Sequence, residues 1–178
     1  MKVLVTGGVR SGKSRHAESL LAEAGAVTYV APGPTATEDP DPDWVARIAA
    51  HRARRAATWT TLETRDLAGA LATRGPVLFD CLGTWLTGVL DERGLWEAPS
   101  EDITKAVAGL LAGAVDVLAS RDDTADPIVL VTNEVGLGVV PDHRSGRVFR
   151  DLLGLVNQQI GAACSEVHLV VAGRVLVL

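Results

Sequence analysis

Residues 7–14 of this chain carry a glycine-rich motif, Gly7-Gly8-Val9-Arg10-Ser11-Gly12-Lys13-Ser14, that matches the pattern G-x-x-x-x-G-K-[ST] in full. An apolar run at Lys2–Thr6 precedes the motif and a helical pattern at Lys13–Ala24 follows it. Glycines let the backbone turn tightly and point its N–H groups at an anion, and the following helix adds its positive end. A glycine-rich turn that binds nothing is the alternative. We therefore expect an α/β fold with a site for nucleotide phosphates.

The motif also assigns roles to individual side chains. Lys13 is expected to reach the β- and γ-phosphates, and the Ser14 hydroxyl is expected to be a ligand of Mg²⁺. A magnesium site usually needs a carboxylate at the end of a neighbouring strand. Asp80 ends the run Val77–Asp80 and is the first candidate, while Glu134 is the second. An acid at a strand end is also an ordinary helix cap, so both interpretations of these residues stay open.

Short Val/Leu-rich runs alternate with longer helical patterns along the chain. This alternation predicts a mostly parallel sheet covered by helices on both faces, with an antiparallel hairpin at the C-terminus that turns at Gly173-Arg174. The remaining predicted strands are Val27–Ala31, Trp59–Glu63, Val77–Cys81, Pro127–Asn133, Val167–Ala172 and Val175–Leu178. The remaining predicted helices are Asp43–Arg54 with Asp43 as N-cap, Leu82–Leu90, Ser100–Ala119 with Ser100 as N-cap, and Gly146–Ala163.

Composition narrows the class of protein. The chain has 178 residues, enough for a single domain over 1–178, and 47% of them are hydrophobic, which excludes a disordered chain. A net charge of -5 disfavours a general nucleic-acid binder. Two cysteines cannot form a four-thiolate zinc site or a disulfide framework. No apolar run approaches a membrane span and the start lacks the apolar core of a signal peptide, so we expect a cytoplasmic protein without a membrane span.

The helix predicted at Asp43–Arg54 is unusually basic for an acidic protein. Four arginines, Arg47, Arg52, Arg54 and Arg55, lie around His51. One interpretation is a solvated helix whose arginines pair with surface acids. A second is a nucleic-acid contact, which the net charge and the lack of interleaved aromatic residues disfavour. A third is a phosphate site in which the arginines keep His51 uncharged, the form in which an imidazole is a nucleophile.

Several stretches together resemble one family. They are VTGGVRSGKSRHAE at Val5–Glu18, ARIAAHRARRAATW at Ala46–Trp59 with Glu63, Val77–Cys81, and IVLVTNEVGLGVVP at Ile128–Pro141. The sequence continues the resemblance through FRDLLGLVNQ at Phe149–Gln158 and through Glu166–Gly173. The chain resembles, essentially end to end, the bifunctional adenosylcobinamide kinase/adenosylcobinamide-phosphate guanylyltransferases of cobalamin biosynthesis.

The resemblance implies a RecA-like P-loop fold and two reactions. A nucleoside triphosphate, ATP or GTP, phosphorylates adenosylcobinamide, and GTP then gives its GMP group to that phosphate through a GMP-histidine intermediate. The family motif places this histidine on His51 and implies a homotrimer with the nucleotide near a subunit interface. The resemblance and the motif together predict His51 and Lys13 as catalytic and Ser14 and Asp80 as metal ligands. The predicted nucleotide-binding residues are Gly7, Gly8, Val9, Arg10, Ser11, Gly12, Lys13, Ser14, Ala31, Pro32, Gly33, Arg52, Ala53, Arg54, Arg55, Glu63 and Asp80.

Two other functions remain open at this point. One is a P-loop kinase for another small metabolite, in which His51 is never modified. The other is a GTP-binding regulator that changes conformation without a transfer reaction. A covalent GMP adduct separates the resemblance from both alternatives, because neither requires one.

Overall fold

The computed structural model describes residues 1–122 and 126–178. Within them, the strands form one seven-stranded sheet in the order β3-β2-β4-β5-β1-β6-β7. β1 to β6 run parallel, and β7 is antiparallel to β6. The strands are β1 (Lys2–Gly7), β2 (Thr28–Ala31), β3 (Thr60–Glu63), β4 (Val77–Asp80), β5 (Ile128–Val131), β6 (Glu166–Val171) and β7 (Arg174–Val177). The helices are α1 (Lys13–Leu20), α2 (Pro42–Arg54), α3 (Leu67–Leu71), α4 (Leu82–Glu92), α5 (Ser100–Ser120) and α6 (Arg144–Ala163). The expected mostly parallel sheet with a C-terminal antiparallel hairpin is confirmed.

The core lies on both faces of the sheet because the side chains of β1 alternate between them. Leu4 belongs to a large cluster that holds the buried residues of α3, α4, α5 and α6. Val3 and Val5 belong to a smaller cluster with Ala17 and Leu21, in and just after α1. Helix α2 has no buried residue. It therefore does not belong to either core cluster and is free to place its side chains over the carboxyl ends of the strands.

Helix α5 corrects the premise that no apolar run in the sequence is long enough to span a membrane. By length and composition it is apolar enough to cross a membrane, with a mean hydropathy of 1.5 in its best 18-residue window. In the fold it packs against α3 and α6 and buries one stripe of side chains at helical spacing. That stripe is Ile103, Val107, Leu111, Ala114 and Leu118. The packing is that of a helix covering the core.

Three helix starts differ from the predictions. Asp41, not Asp43, caps α2: its carboxylate accepts from the backbone N–H groups of Asp43 and Trp44, both at 3.0 Å. Pro42 is then the first helical residue, a position that suits its fixed φ angle. Ser100 is the first residue of α5 rather than its cap, which is Pro99. Helix α6 begins at Arg144, two residues before the predicted start.

Three further differences have local causes. Helix α1 ends at Leu20 instead of Ala24, because the chain tightens into turns before Gly25, which has a φ of 70°. The hairpin turns at Ala172-Gly173, one residue early, with φ angles of 49° and 76°. The five-residue helix α3 was not predicted, although Asp66 caps it by accepting from Gly69 N. Its shortness leaves little periodic signal.

Candidate functional site

The carboxyl ends of the parallel strands bring the predicted residues to one edge of the sheet. Gly7 ends β1, Ala31 ends β2, Glu63 ends β3 and Asp80 ends β4. Ala31 and Glu63 lie opposite each other in the register of the two neighbouring strands. Helix α2 supplies His51 above this edge. Ligands of open α/β sheets bind in this position.

The glycine-rich loop makes an internal hydrogen bond at the start of α1. Lys13 is buried, and its ammonium group donates to the carbonyl of Gly8 at 3.1 Å. Gly12 has a φ of 99°, which favours glycine. The C-terminal hairpin braces the loop, since Gly173 N donates to the carbonyl of Ser11 at 2.8 Å. Burial lowers the pKa of Lys13, while the nearby Cys81 and Asp80 oppose that shift.

Two cavities meet at this edge of the sheet. The first, called the loop cavity, has about 870 Å³. It is lined by Val9, Arg10, Ser11, Gly12, Lys13, Ser14, Arg15, Asp43, Arg47, His51, Arg54 and Gly173. The second, called the strand-end cavity, has about 280 Å³ and extends over the ends of β2, β3 and β4. Its walls include Ala31, Gly33, Trp44, Arg52, Arg55, Glu63 and Asp80. Val9, Arg47 and His51 line both cavities.

His51 is held by groups that all face its Nδ1 atom. Within the described part of the chain, the polar contacts of the ring are Tyr29 Oη at 3.5 Å, Asp80 Oδ2 at 3.6 Å and Arg54 Nη2 at 3.3 Å. The side chain is 20% exposed. Burial lowers the pKa of His51, and Arg54 and Arg47 lower it further, whereas Asp80 and Glu18 oppose the shift. The arginines therefore act as the sequence predicted, but burial is the larger cause of a neutral ring.

Two arginines of α2 pair with carboxylates. Arg54 forms two hydrogen bonds with the carboxylate of Glu18 on α1, at 2.9 and 3.1 Å. Arg52 pairs with Glu63 at 2.8 Å, and both side chains are well exposed. A bidentate pair fixes the orientation of the guanidinium, so Glu18 positions Arg54 beside His51. Glu18 was part of the motif singled out in the sequence, but only the structure gives it this contact.

Tyr29 is the site residue that the sequence did not indicate. It is buried at 2% exposure, and its hydroxyl donates to Asp80 Oδ2 at 2.9 Å. The guanidinium of Arg55 lies 3.2 Å from the centre of its ring and donates to Thr61 Oγ1 at 3.0 Å. Burial and Asp80 raise the pKa of Tyr29 well above its usual range, so the hydroxyl stays protonated. The only available signal was that the chain has a single tyrosine.

The donor set fits a magnesium ion that is bound mainly through phosphates. Mg²⁺ keeps several waters and uses one or two carboxylates together with substrate phosphates. Asp80 supplies a carboxylate close enough to Lys13 to affect its pKa, and Ser14 lines the loop cavity. No cluster of three or more His, Cys, Asp or Glu side chains that could hold a metal occurs in residues 1–122 and 126–178. Glu134, the second candidate, instead accepts from Gly136 N.

Three other side chains with nucleophilic atoms have structural surroundings. Burial raises the pKa of the Cys81 thiol, which lies 3.5 Å from both Thr84 Oγ1 and Asn133 Oδ1. His16 Nε2 lies 2.8 Å from His168 Nδ1, and His168 Nε2 lies 2.8 Å from Glu166 Oε2. This chain of contacts ties α1 to β6. Cys81 and these two histidines are therefore placed as packing or bracing groups.

The sequence of this chain matches a known protein family. Residues 3–178 match the family described as cobinamide kinase / cobinamide phosphate guanyltransferase. The chain belongs to this family. It is 41% identical over 179 residues to the bifunctional adenosylcobalamin biosynthesis protein CobU of Escherichia coli K12, with 97% of each protein covered. It is 40% identical to the bifunctional adenosylcobalamin biosynthesis protein CobP of Pseudomonas aeruginosa PAO1, with 97% of this chain and 94% of that protein covered. The resemblance noted in the sequence is confirmed.

The fold of this family member is also similar to a solved structure of distant sequence. That structure is a prototypical ATPase from the type III secretion system of pathogenic bacteria, with a TM-score of 0.55 and 10% identity. The similarity covers 94% of this chain and 50% of that one. At this identity the likeness concerns the fold alone, and it agrees with the expected RecA-like P-loop architecture.

The structure brings most of the predicted nucleotide residues to the two cavities of this family member. Four do not line either cavity: Gly7 and Gly8 form the backbone of the loop, Pro32 accepts from Arg65 Nε at 3.1 Å, and Ala53 is exposed on α2. A side chain at Gly7 would collide with the carbonyl of Val170. Gly7 is therefore needed for the backbone path of the loop, although it lines neither cavity.

Proposed function

We propose that this protein phosphorylates adenosylcobinamide with ATP or GTP and then transfers GMP from GTP to the product, giving adenosylcobinamide-GDP. The observation that carries the proposal is the position of His51, which lines both the loop cavity and the strand-end cavity. A triphosphate in the loop cavity and a nucleoside in the strand-end cavity would meet at this ring. The α-phosphate of GTP lies between those two parts of the nucleotide.

The kinase step uses the glycine-rich loop. The hydroxyl oxygen of the aminopropanol arm attacks the γ-phosphorus, the bond to the β-phosphate oxygen breaks, and the hydroxyl proton passes to water. Lys13 and the backbone N–H groups of the loop stabilise the charge that develops on the phosphate oxygens. Ser14 and Asp80 would hold Mg²⁺, which supplies further neutralisation of the phosphates. His51 takes no part in this step.

The guanylyl step uses His51. Its Nδ1 faces Asp80, Tyr29 and Arg54, so the atom left for reaction is Nε2. The Nε2 lone pair forms a bond to the α-phosphorus, and the bonding pair to the bridging oxygen leaves with pyrophosphate. A phosphate oxygen of the cobinamide phosphate then attacks the same phosphorus, and the P–N bond pair returns to Nε2. One difficult transfer becomes two easier ones.

Intact-protein mass spectrometry after incubation with Mg²⁺ and GTP tests this function. We expect a mass increase of one GMP group that acid removes, because a P–N bond is acid-labile. Addition of adenosylcobinamide phosphate should discharge the adduct and give adenosylcobinamide-GDP. GTP hydrolysis without adduct or product would favour the GTP-binding regulator. Phosphoryl transfer without an adduct would favour a kinase alone.

Glu63 provides a test of base recognition. A carboxylate accepts hydrogen bonds from both N1–H and the N2 amine of guanine, and Glu63 ends β3 in the strand-end cavity. We expect Glu63→Gln to raise the KM for GTP in adduct formation about 10-fold to 100-fold, as the loss of a hydrogen bond to a charged group implies. ITP lacks the N2 amine, so the parent should prefer GTP over ITP and the variant should lose most of that preference. An unchanged GTP-to-ITP ratio would contradict the assignment.

We also propose a single domain over residues 1–178, a homotrimer and a cytoplasmic location. The trimer is supported by the apolar edge of the sheet, where Val175, Leu176, Val177 and Leu178 are 42% to 70% exposed. Exposed apolar patches of this kind mark interaction sites.

The single domain is supported by the one sheet to which all the described strands belong. Nucleoside triphosphates are substrates available in the cytoplasm, which supports that location.

A further inference from the structure

Three groups compete for the Nδ1 atom of His51. Tyr29 uses its hydroxyl hydrogen to donate to Asp80 Oδ2, so its oxygen offers only a lone pair to His51. Asp80 Oδ2 also offers a lone pair. Arg54 Nη2 is a donor only. Nδ1 therefore has two hydrogen-bond acceptors and one hydrogen-bond donor as neighbours.

The outcome of this competition decides which nitrogen of a neutral ring is reactive. If Nδ1 donates to Tyr29 and Asp80, the hydrogen lies on Nδ1 and Nε2 has a free lone pair. If Nδ1 accepts from Arg54, the hydrogen lies on Nε2 and blocks the nucleophile. The hydrogen bond made by one imidazole nitrogen sets the state of the other.

We propose that Tyr29 is a positioning residue for guanylyl transfer: its hydroxyl, held between Asp80 and His51, keeps the ring in the form that carries hydrogen on Nδ1. This inference rests on the proposed function, and it adds a residue to which neither the motif nor the family resemblance gave a role. Tyr29 acts through His51 and Asp80 and does not itself form or break a bond.

Tyr29 is suited to this role because its ring is fixed from several sides. It lies in β2 between β3 and β4, and the guanidinium of Arg55 covers one ring face. Arg55 is in turn fixed by Thr61 on β3. A hydroxyl on such a ring has few alternative positions. Removal of the oxygen takes away one of the two hydrogen-bond acceptors near Nδ1. The donor Arg54 stays in place through its pair with Glu18.

Tyr29→Phe removes the oxygen and keeps the ring under Arg55. We expect the single-turnover rate of GMP-adduct formation at saturating GTP to fall about 10-fold to 100-fold, as for a misplaced reacting group. The rate of phosphoryl transfer to adenosylcobinamide and the KM for GTP should change much less than the adduct rate, because the kinase step does not use His51 and Tyr29 reaches it only through Asp80. Thr28→Val, which removes a hydroxyl from the adjacent residue of β2, is the matched control and should leave all three quantities unchanged.

Two results would overturn the proposal. An unchanged adduct rate in Tyr29→Phe would show that the hydroxyl is not needed. An equal fall in the kinase and adduct rates would show that Tyr29 supports the fold or Asp80 in general. Absence of an adduct in the parent would instead contradict the proposed function, so the two failures are distinct.

A second measurement does not depend on activity. Long-range ¹H–¹⁵N correlation spectra of the parent report which nitrogen of a neutral His51 carries the hydrogen, and a His51→Ala spectrum assigns the signals. We expect Nδ1–H in the parent and a shift towards Nε2–H in Tyr29→Phe. Nε2–H as the main form in the parent would overturn the proposal even if no adduct forms.

Discussion

His51→Ala is expected to abolish the GMP adduct and to lower guanylyl transfer to adenosylcobinamide phosphate by about 10⁴-fold or more, as removal of a covalent nucleophile does in other enzymes. The reason is that Val9, Arg47 and His51 are the described residues that line both cavities, and among them only the His51 ring offers a nucleophilic nitrogen. Cys81 is a buried thiol with a raised pKa, and the arginines that line these cavities are donors only. The adduct is read by intact mass, and the product by chromatography.

The same variant should retain phosphoryl transfer from the nucleoside triphosphate to adenosylcobinamide. Lys13 and the loop stay in place because α2 contributes no residue to the buried core. His143→Ala is the matched control: this residue precedes α6 and lines neither cavity, so it should keep the adduct. An adduct that persists in His51→Ala would move the nucleophile to another residue. Loss of both reactions would show that His51 is needed for nucleotide binding in general.

The part of the site carried by the glycine-rich loop could be predicted from sequence because that motif is local. Its strand, its turn and its helix follow one another in the chain, and each role depends on backbone geometry within residues 7–14. Asp80 could also be predicted, since an acid that follows an apolar run is visible in the sequence, whereas the role of Glu63 was implied by the family resemblance. Parallel strands then bring these two strand ends to one edge of the sheet.

The contacts around His51 could not be predicted in this way because they depend on strand order. Tyr29 reaches Asp80 only because β2 lies next to β4, although β3 lies between them in the sequence. Glu18 reaches Arg54 across 36 residues. A tyrosine in an apolar strand carries no sign of a polar partner. Burial, the larger cause of the lowered pKa of His51, likewise follows from where α2 lies over the sheet.

The short helix α3 could not be predicted from the sequence for a different reason. Helix α3 has five residues, and its apolar positions Leu67, Ala70 and Leu71 make less than two turns of periodic pattern. Asp66 is a good cap, but a capping residue before a short apolar run is equally typical of a loop. Helix α3 packs against α5, and tertiary packing of this kind stabilises short helices.

Lys13→Ala is expected to lower both reactions by about 10³-fold, in contrast to the selective effect at His51. The ammonium group is the buried cation of the glycine-rich loop, and both steps move charge onto phosphate oxygens that the loop would hold. In the protein without nucleotide, the ammonium group donates to the carbonyl of Gly8, and a bound triphosphate would replace that oxygen as its partner. The loss should therefore appear in kcat for the kinase step and in the rate of adduct formation.

Steady-state kinase assays and single-turnover adduct formation by intact mass measure the two effects. Lys105→Ala is the control, because Lys105 is exposed on α5 and lines neither cavity. A variant that loses the kinase step but forms the adduct at the parental rate would contradict a shared triphosphate site. It would place the GTP that guanylylates His51 away from the loop cavity, and the two reactions would then require two separate nucleotide sites.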